Sequence, residues 1–202
     1  MYITELEKLK GGRILVRTEE GIRFPLYRKE VDLYGLEPET ELPEALYTQI
    51  CEEVLKTRAR KRVLYLLQRS DRTEAELRRK LSRDGYPEEL IQQAIAYADS
   101  YHYIDDFRYA CNYIRYSGGS KNRRQLQIFL QQKGVDPETM ARAFDEAYSD
   151  NEEALAGKAL AKRGYDPGTA DEAERRKQYA YLARKGYSDS VISKVLKEDA
   201  DF

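Results

Sequence analysis

Tryptophan is absent, histidine occurs once and cysteine twice among 202 residues. A structural zinc site needs four nitrogen or sulfur ligands, which His102, Cys51 and Cys111 cannot supply together. The two cysteines stand far apart with no C-x-x-C spacing, which suits a reducing compartment better than a disulfide framework. Long apolar runs are also missing: nothing approaches the ~20 residues needed to cross a bilayer. The opening MYITELEKLKGG carries charge at positions 5, 7, 8 and 10, unlike a secretory leader. A cytoplasmic protein without membrane contact is the expectation.

Recognisable catalytic patterns are missing too. No G-x-x-x-x-G-K-[ST] occurs, and SGGS at 117–120 joins two helical segments with no strand before it, so a phosphate loop is not expected. Asp105 and Asp106 are adjacent carboxylates of the kind a metal-dependent nuclease could use. They stand, however, at the start of the periodic run Phe107, Ala110, Cys111 and Ile114. Negative charge there complements a helix N-terminus and caps its free N–H groups. With no cluster of reactive groups left, the sequence predicts a protein that is not an enzyme and that takes neither cofactor nor metal.

What the chain has in quantity is charge. It is 35% charged and 41% hydrophobic, with a mean hydropathy of -0.78, too apolar to be wholly disordered and suited to helices with much surface. The net charge of -1 conceals segregation. Lys56 to Arg83 holds eleven Lys or Arg against three acids, and Arg108 to Lys133 holds six with no acid. Glu37 to Glu53 holds six Glu and no base. Solvated helix faces account for ordinary charge clusters, but two long basic segments in a nearly neutral chain favour an anionic partner.

The secondary-structure signals divide the chain. GRILVRTEEGIRFPLY alternates, turns at Glu19-Glu20-Gly21 and resumes, a β-hairpin preceded by a strand from Ile3 to Leu9. RKEVDLYG is a short helix stopped by Gly35. From Pro43 onward all is helical. Leu46, Ile50 and Val54 recur every four residues, and Val63, Leu66 and Leu67 resume a face, giving one helix to about Arg69 or two joined near Lys56. Thr73 and Glu76 form a capping box; the helix they start runs through Leu77 and Leu81 to Gly85, and Pro87-Glu88-Glu89 opens the next.

That pair repeats. Moving 49 residues, from Gly85 to Gly134, carries Leu77, Leu81, Ile91, Ala94, Ile95 and Ala98 onto Leu126, Leu130, Met140, Ala143, Phe144 and Ala147. Moving 101 residues, to Gly186, carries Leu81 onto Leu182 and Ile91 onto Ile192, although Leu77 falls on Gln178. With a leading helix before each pair, the fold expected is mainly α. It is an elongated array of three tandem three-helix repeats behind a small N-terminal β-hairpin subdomain. The expected bounds are 1–42 for the β-rich subdomain, then 43–103, 104–149 and 150–202 for the repeats.

A helix pair with a short glycine turn suggests a helix-turn-helix, whose second helix enters the DNA major groove. Here the second helices begin PEEL, DPET and SDSV, and their carboxylates would repel phosphates. Cations lie on the first helices instead: Arg78, Arg79, Lys80 and Arg83; Arg123, Arg124 and Lys133; Arg175, Arg176, Lys177, Arg184 and Lys185. Sequence-specific readout is disfavoured, and broad contact to a phosphate backbone, or to a protein wrapped around one, survives. Tyr109, Tyr113 and Tyr116, beside Arg108 and Arg115, could stack on bases or fill a helical core.

Taken in order, RSDRTEAELRRKL, YIDDFRYACNYI, GGSKNRRQLQIFLQQKGV and YLARKGYSDSVI resemble the RecX family, regulatory proteins of the RecA recombinase. The resemblance covers about residues 58–198, and the N-terminal β-segment is similar to that of the longer members. It implies a non-enzymatic modulator that lies along the groove of the RecA–DNA filament. Such a protein limits filament extension, strand exchange, ATP hydrolysis and the co-protease activity that opens the SOS response. The partners implied are the RecA filament and, by contact, single-stranded DNA, bound by a monomer. The residues expected to carry binding are Arg60, Arg62, Arg72, Arg78, Arg79, Arg83, Arg108, Arg115, Lys121, Arg123, Arg124, Lys133, Arg184 and Lys185. The alternative is a helical-repeat protein that binds single-stranded nucleic acid without RecA.

Overall fold

A computed structural model describes residues 1–197; residues 198–202, which close the third expected repeat, lie outside them. The chain forms two units, Met1–Asp105 and the part from Asp106 onward.

The first unit opens with an antiparallel sheet in the order β1 (Ile3–Lys8), β2 (Arg13–Thr18), β3 (Arg23–Tyr27). The hairpin is therefore the second half of a three-stranded sheet, which supplies the third strand that a lone hairpin needs. Ile14 pairs with Leu26 and Val16 with Phe24, and these four side chains are buried on one face. Alternation would send Leu15 to solvent; it is buried instead, because the opposite face also has a neighbour at the Gly85 turn. The short helix α1 (Arg28–Leu33) follows.

Next comes one unbroken helical run. It consists of α2 (Glu44–Ile50), a single π-helical turn at Cys51–Leu55, and α3 (Lys56–Arg69). The helix is neither regular throughout nor broken near Lys56. A π-turn takes one residue more than an α-turn and shifts the buried stripe, which runs Ile50, Leu55, Ala59, Val63 and Leu66. Ile50 and Leu55 complete the sheet's core. Ala59, Val63 and Leu66 belong to the next cluster, shared with α4 (Glu74–Arg83) and α5 (Glu88–Ser100). Leu77 and Leu81 are fully buried there, each worth about 2 kcal/mol of apolar transfer.

Local chemistry sets the ends of α4. The Glu76 N–H donates to Thr73 Oγ1 at 3.2 Å, and the Glu76 side chain accepts from the Thr73 N–H, a complete capping box. At the other end the Tyr86 N–H donates to the Leu81 carbonyl at 3.1 Å around Gly85, whose φ is +93°. This is a Schellman closure, which requires a left-handed residue.

The second unit repeats the scheme. Helices α6 (Asp106–Ser117), α7 (Arg123–Lys133) and α8 (Pro137–Ala147) share one core. Helices α9 (Glu152–Ala161), α10 (Glu172–Lys185) and α11 (Asp189–Lys197) share another. The Schellman bond recurs from Val135 to Leu130 at 3.1 Å and from Tyr187 to Leu182 at 3.2 Å, around Gly134 and Gly186 in left-handed conformation. Gln178, standing where the first two copies have leucine, is 1% exposed. Its amide accepts from Arg163 Nε at 2.9 Å and donates to Glu174, so the weaker third copy carries a satisfied polar core.

Candidate partner-binding surfaces

Six of the fourteen expected binding cations fall in the first unit and eight in the second. On α4, Arg79 and Arg83 are exposed and stand four residues apart on one face. Arg78 is different. It is half-buried, with Nε 2.7 Å from Glu74 and Nη1 3.2 Å from Glu88. Arg62 donates from Nε to Asp84 Oδ2 at 2.8 Å. Arg60 lies over the Tyr97 ring at 4.8 Å, and Arg72 is half-buried beside the capping threonine in sequence.

The second unit gathers several cations at one place. Asn122 is the buried N-cap of α7: its Oδ1 accepts from the Gln125 N–H at 2.9 Å and its Nδ2 donates to the Lys185 carbonyl at 3.0 Å. That side chain stitches the start of α7 to the end of α10. Arg124 lays its stem against Gly186, so near that a Cβ added there would lie 2.4 Å from Arg124 Cδ. Lys121, Arg124, Arg184 and Lys185 are thus drawn to one junction. Lys121 caps the stacked rings of Tyr113 and Phe129, whose centroids are 3.9 Å apart, with Nζ 4.9 Å and 5.4 Å from them.

The remaining residues are dispersed. Arg123 spreads over Phe144 and Tyr148 at 4.8 and 5.3 Å. Arg108 and Arg115 are exposed on α6, Arg115 within 3.2 Å of Glu146, and Lys133 lies 5.3 Å from the Phe129 ring. Tyr109 and Tyr113 pack into the core of their module, whereas Tyr116 is 91% exposed. Of that tyrosine stripe one ring is left open for stacking. Burial first, and then the Glu152 carboxylate, pushes the hydroxyls of Tyr148 and Tyr187 above the ordinary tyrosine range. Both stay neutral at physiological pH, and Tyr148 donates to Glu152 at 3.1 Å.

Two groups of cations escaped selection from the sequence. Lys158 of α9 and Lys162 at its C-cap, four apart, line a cleft of about 250 Å³ with Lys185, Tyr181 and Tyr187 at the Gly119–Ser120 turn. In the first unit, Lys10, Arg13, Arg58 and Lys61 surround a groove of about 550 Å³ beside Arg62. The spacing Arg58, Lys61, Arg62, Tyr65 on one helix face is a signal that could have found the α3 part. The contribution of Lys10 and Arg13 depends on tertiary packing. Among the described residues, no three or more His, Cys, Asp or Glu side chains are grouped so as to hold a metal ion. None of the described helices is long and apolar enough to cross a membrane.

Comparison with known proteins places the same segments. The model of "RecX, first three-helix domain" matches residues 59–97, and that of "RecX, third three-helix domain" matches residues 151–196. The chain is 32% identical over 169 residues to the regulatory protein RecX of Amycolatopsis mediterranei, covering 80% of this chain and 90% of that one. It is 26% identical over 199 residues to the Clostridium acetobutylicum protein of the same name, covering 96% and 93%. A crystal structure of regulatory protein RecX aligns with TM-score 0.65 at 26% identity, over 96% of this chain and 98% of that one. RecX from Lactobacillus salivarius aligns with TM-score 0.59 at 23% identity, over 71% and 95%, a likeness of fold.

Proposed function

The chain belongs to the RecX family of regulatory proteins, and on that premise we propose that it is a non-enzymatic modulator of the RecA recombinase. It binds the RecA–DNA filament along its groove and limits filament extension, strand exchange and co-protease activity. In this reading it works in the cytoplasm, in recombinational DNA repair and in damping of the SOS response, as a monomer. The observation that carries the reading is the recurrence of one module with its cations on the first helix of the pair. Arg79 and Arg83 occupy α4, Arg124 and Lys133 occupy α7, and Arg184 and Lys185 end α10. Modules of one design suit a target made of repeating subunits, where weak contacts add through effective concentration.

The bounds 1–42 for the β-rich subdomain and 43–103, 104–149 and 150–202 for the three helical repeats are proposed here as the domains of the chain. The test is the single-stranded-DNA-dependent ATPase of RecA, titrated with this protein. Inhibition is expected for the native chain, and a markedly weaker effect for Arg79→Glu with Arg83→Glu. Arg78 is left out because a glutamate there would face Glu74 and Glu88 and confound binding with stability. An ATPase indifferent to the native chain refutes the reading. Retention on single-stranded DNA that is strong without RecA and unchanged by it supports the alternative, a nucleic-acid-binding protein that needs no RecA.

A further inference from the structure

The groove of the first unit is built where three elements meet: the Lys10–Gly12 turn between β1 and β2, the end of β3, and α3. Two acid-centred clamps hold it. Asp84, just before the Gly85 turn, pairs with Arg13 of β2 at 3.4 Å and accepts from Arg62 of α3 at 2.8 Å. Glu30 of α1 accepts from Arg58 of α3, which also donates to the Pro25 carbonyl at 3.2 Å. Five cations, Lys10, Arg13, Arg58, Lys61 and Arg62, therefore face the groove against two carboxylates, leaving an excess of three positive charges. Lys10 and Lys61 are exposed to solvent. Three tyrosines share the lining: the buried Tyr86 and two that stay open to solvent. Tyr27 and Tyr65 each keep 44% of their surface in solvent, while Arg58 sits 4.7 Å from the first ring and Arg69 4.6 Å from the second.

We infer that this groove is a binding site for single-stranded nucleic acid, with the lysines on phosphates and Tyr27 and Tyr65 as stacking platforms for bases. Cations and exposed aromatic rings in one groove are what an unpaired strand recruits, because it presents phosphates and open base faces together. A duplex hides the base faces and would leave the rings without partners. An acidic peptide would use the lysines alone. Clamping by Asp84 and Glu30 fixes the arginines before the ligand arrives, which spares the ordering of long side chains on binding. The inference extends the DNA contact of the reading above, and it is measured without RecA so that each can fail alone.

The experiment is fluorescence anisotropy of the full chain with a labelled oligothymidylate of about 15 nucleotides at about 50 mM salt. Saturable binding is expected, weakened at least about fivefold by Tyr65→Leu and kept by Tyr65→Phe. Lys10→Ala with Lys61→Ala should lower the slope of log affinity against log salt by about 1.4, the value for two phosphate contacts on a single strand. Circular dichroism of each variant verifies folding, and Tyr27→Ser provides a second aromatic test if Tyr65→Leu is unstable. No binding by the native chain overturns the inference. So does unchanged affinity in both aromatic variants, or displacement of the oligonucleotide by oligoglutamate as readily as by unlabelled oligothymidylate.

Discussion

Three glycines with left-handed backbones differ in what a methyl group would meet, and replacing each by alanine separates two costs. Gly164, at φ +69°, has open space where a Cβ would go; Gly85, at φ +93°, would place it 2.4 Å from Leu15 Cδ1; Gly186, at φ +91°, would place it 2.4 Å from Arg124 Cδ. The left-handed conformation costs an L-residue about 1–2 kcal/mol. Of this, about 0.4–1 is offset by the narrower unfolded ensemble of alanine. Gly164→Ala should therefore lose about 1 kcal/mol or less. Gly85→Ala carries the same backbone cost plus overpacking against a side chain that is itself buried, a further 1–3 kcal/mol, for a total of about 1–4. Gly186→Ala should fall between them, because Arg124 is exposed and its outer stem can swing away. The assay is urea denaturation followed by circular dichroism, reading midpoint shifts at constant m. Separate transitions for the two units are allowed for, since Gly85 reports on the first and the other two on the second. A loss at Gly85 within about 0.5 kcal/mol of that at Gly164 would falsify the account, since the Leu15 contact would then contribute nothing.

Leu81→Ala, a fully buried truncation in the first module, should cost about 2–5 kcal/mol; a melting temperature that barely moves contradicts the alignment of the repeats. Tyr86 is pushed up to about 12, chiefly by burial, against about 10 in the unfolded chain. The folded state holds its proton longer, so this contribution is complete below pH 10 and is lost as pH rises toward 12, about 2–3 kcal/mol in all. Stability measured across pH 9 to 12 should decline more gently in Tyr86→Phe than in the native chain, and parallel curves would count against the assignment.

The helix starts and stops were legible because single residues dictate them. Thr73 with Glu76 announces a capping box, and glycine at 85, 134 and 186 announces a left-handed closure at each repeat. The β-segment was legible from alternation, except at Leu15, which packs toward a turn seventy residues later in sequence. The π-turn was not legible. Leu46, Ile50 and Val54 fit an ordinary helix face, and only the fixed distance between two cores selects Leu55 over Val54 for full burial. Charge on the first helices of the pairs could be read from composition, yet which charges are already paired could not. Arg78 with Glu74 is visible at helical spacing, whereas Arg13 and Arg62 on Asp84 and Arg115 on Glu146 join residues distant in the chain. Neither Lys10 nor Arg58 stood out among so many basic residues until packing put them at one groove.

The turn at Cys51–Leu55 means that the sheet and the first module are phased by residue count along a continuous rod. Removing one residue there, Glu53 for instance, would let the rod return to ordinary α geometry with Ile50 and Leu55 four positions apart on one stripe, so both cores would stay filled and Arg58 would still reach Glu30. Forcing α geometry on the full-length stretch would instead rotate everything beyond it by about 100° relative to the sheet. In this stretch the loss of one residue is better tolerated than the gain of one.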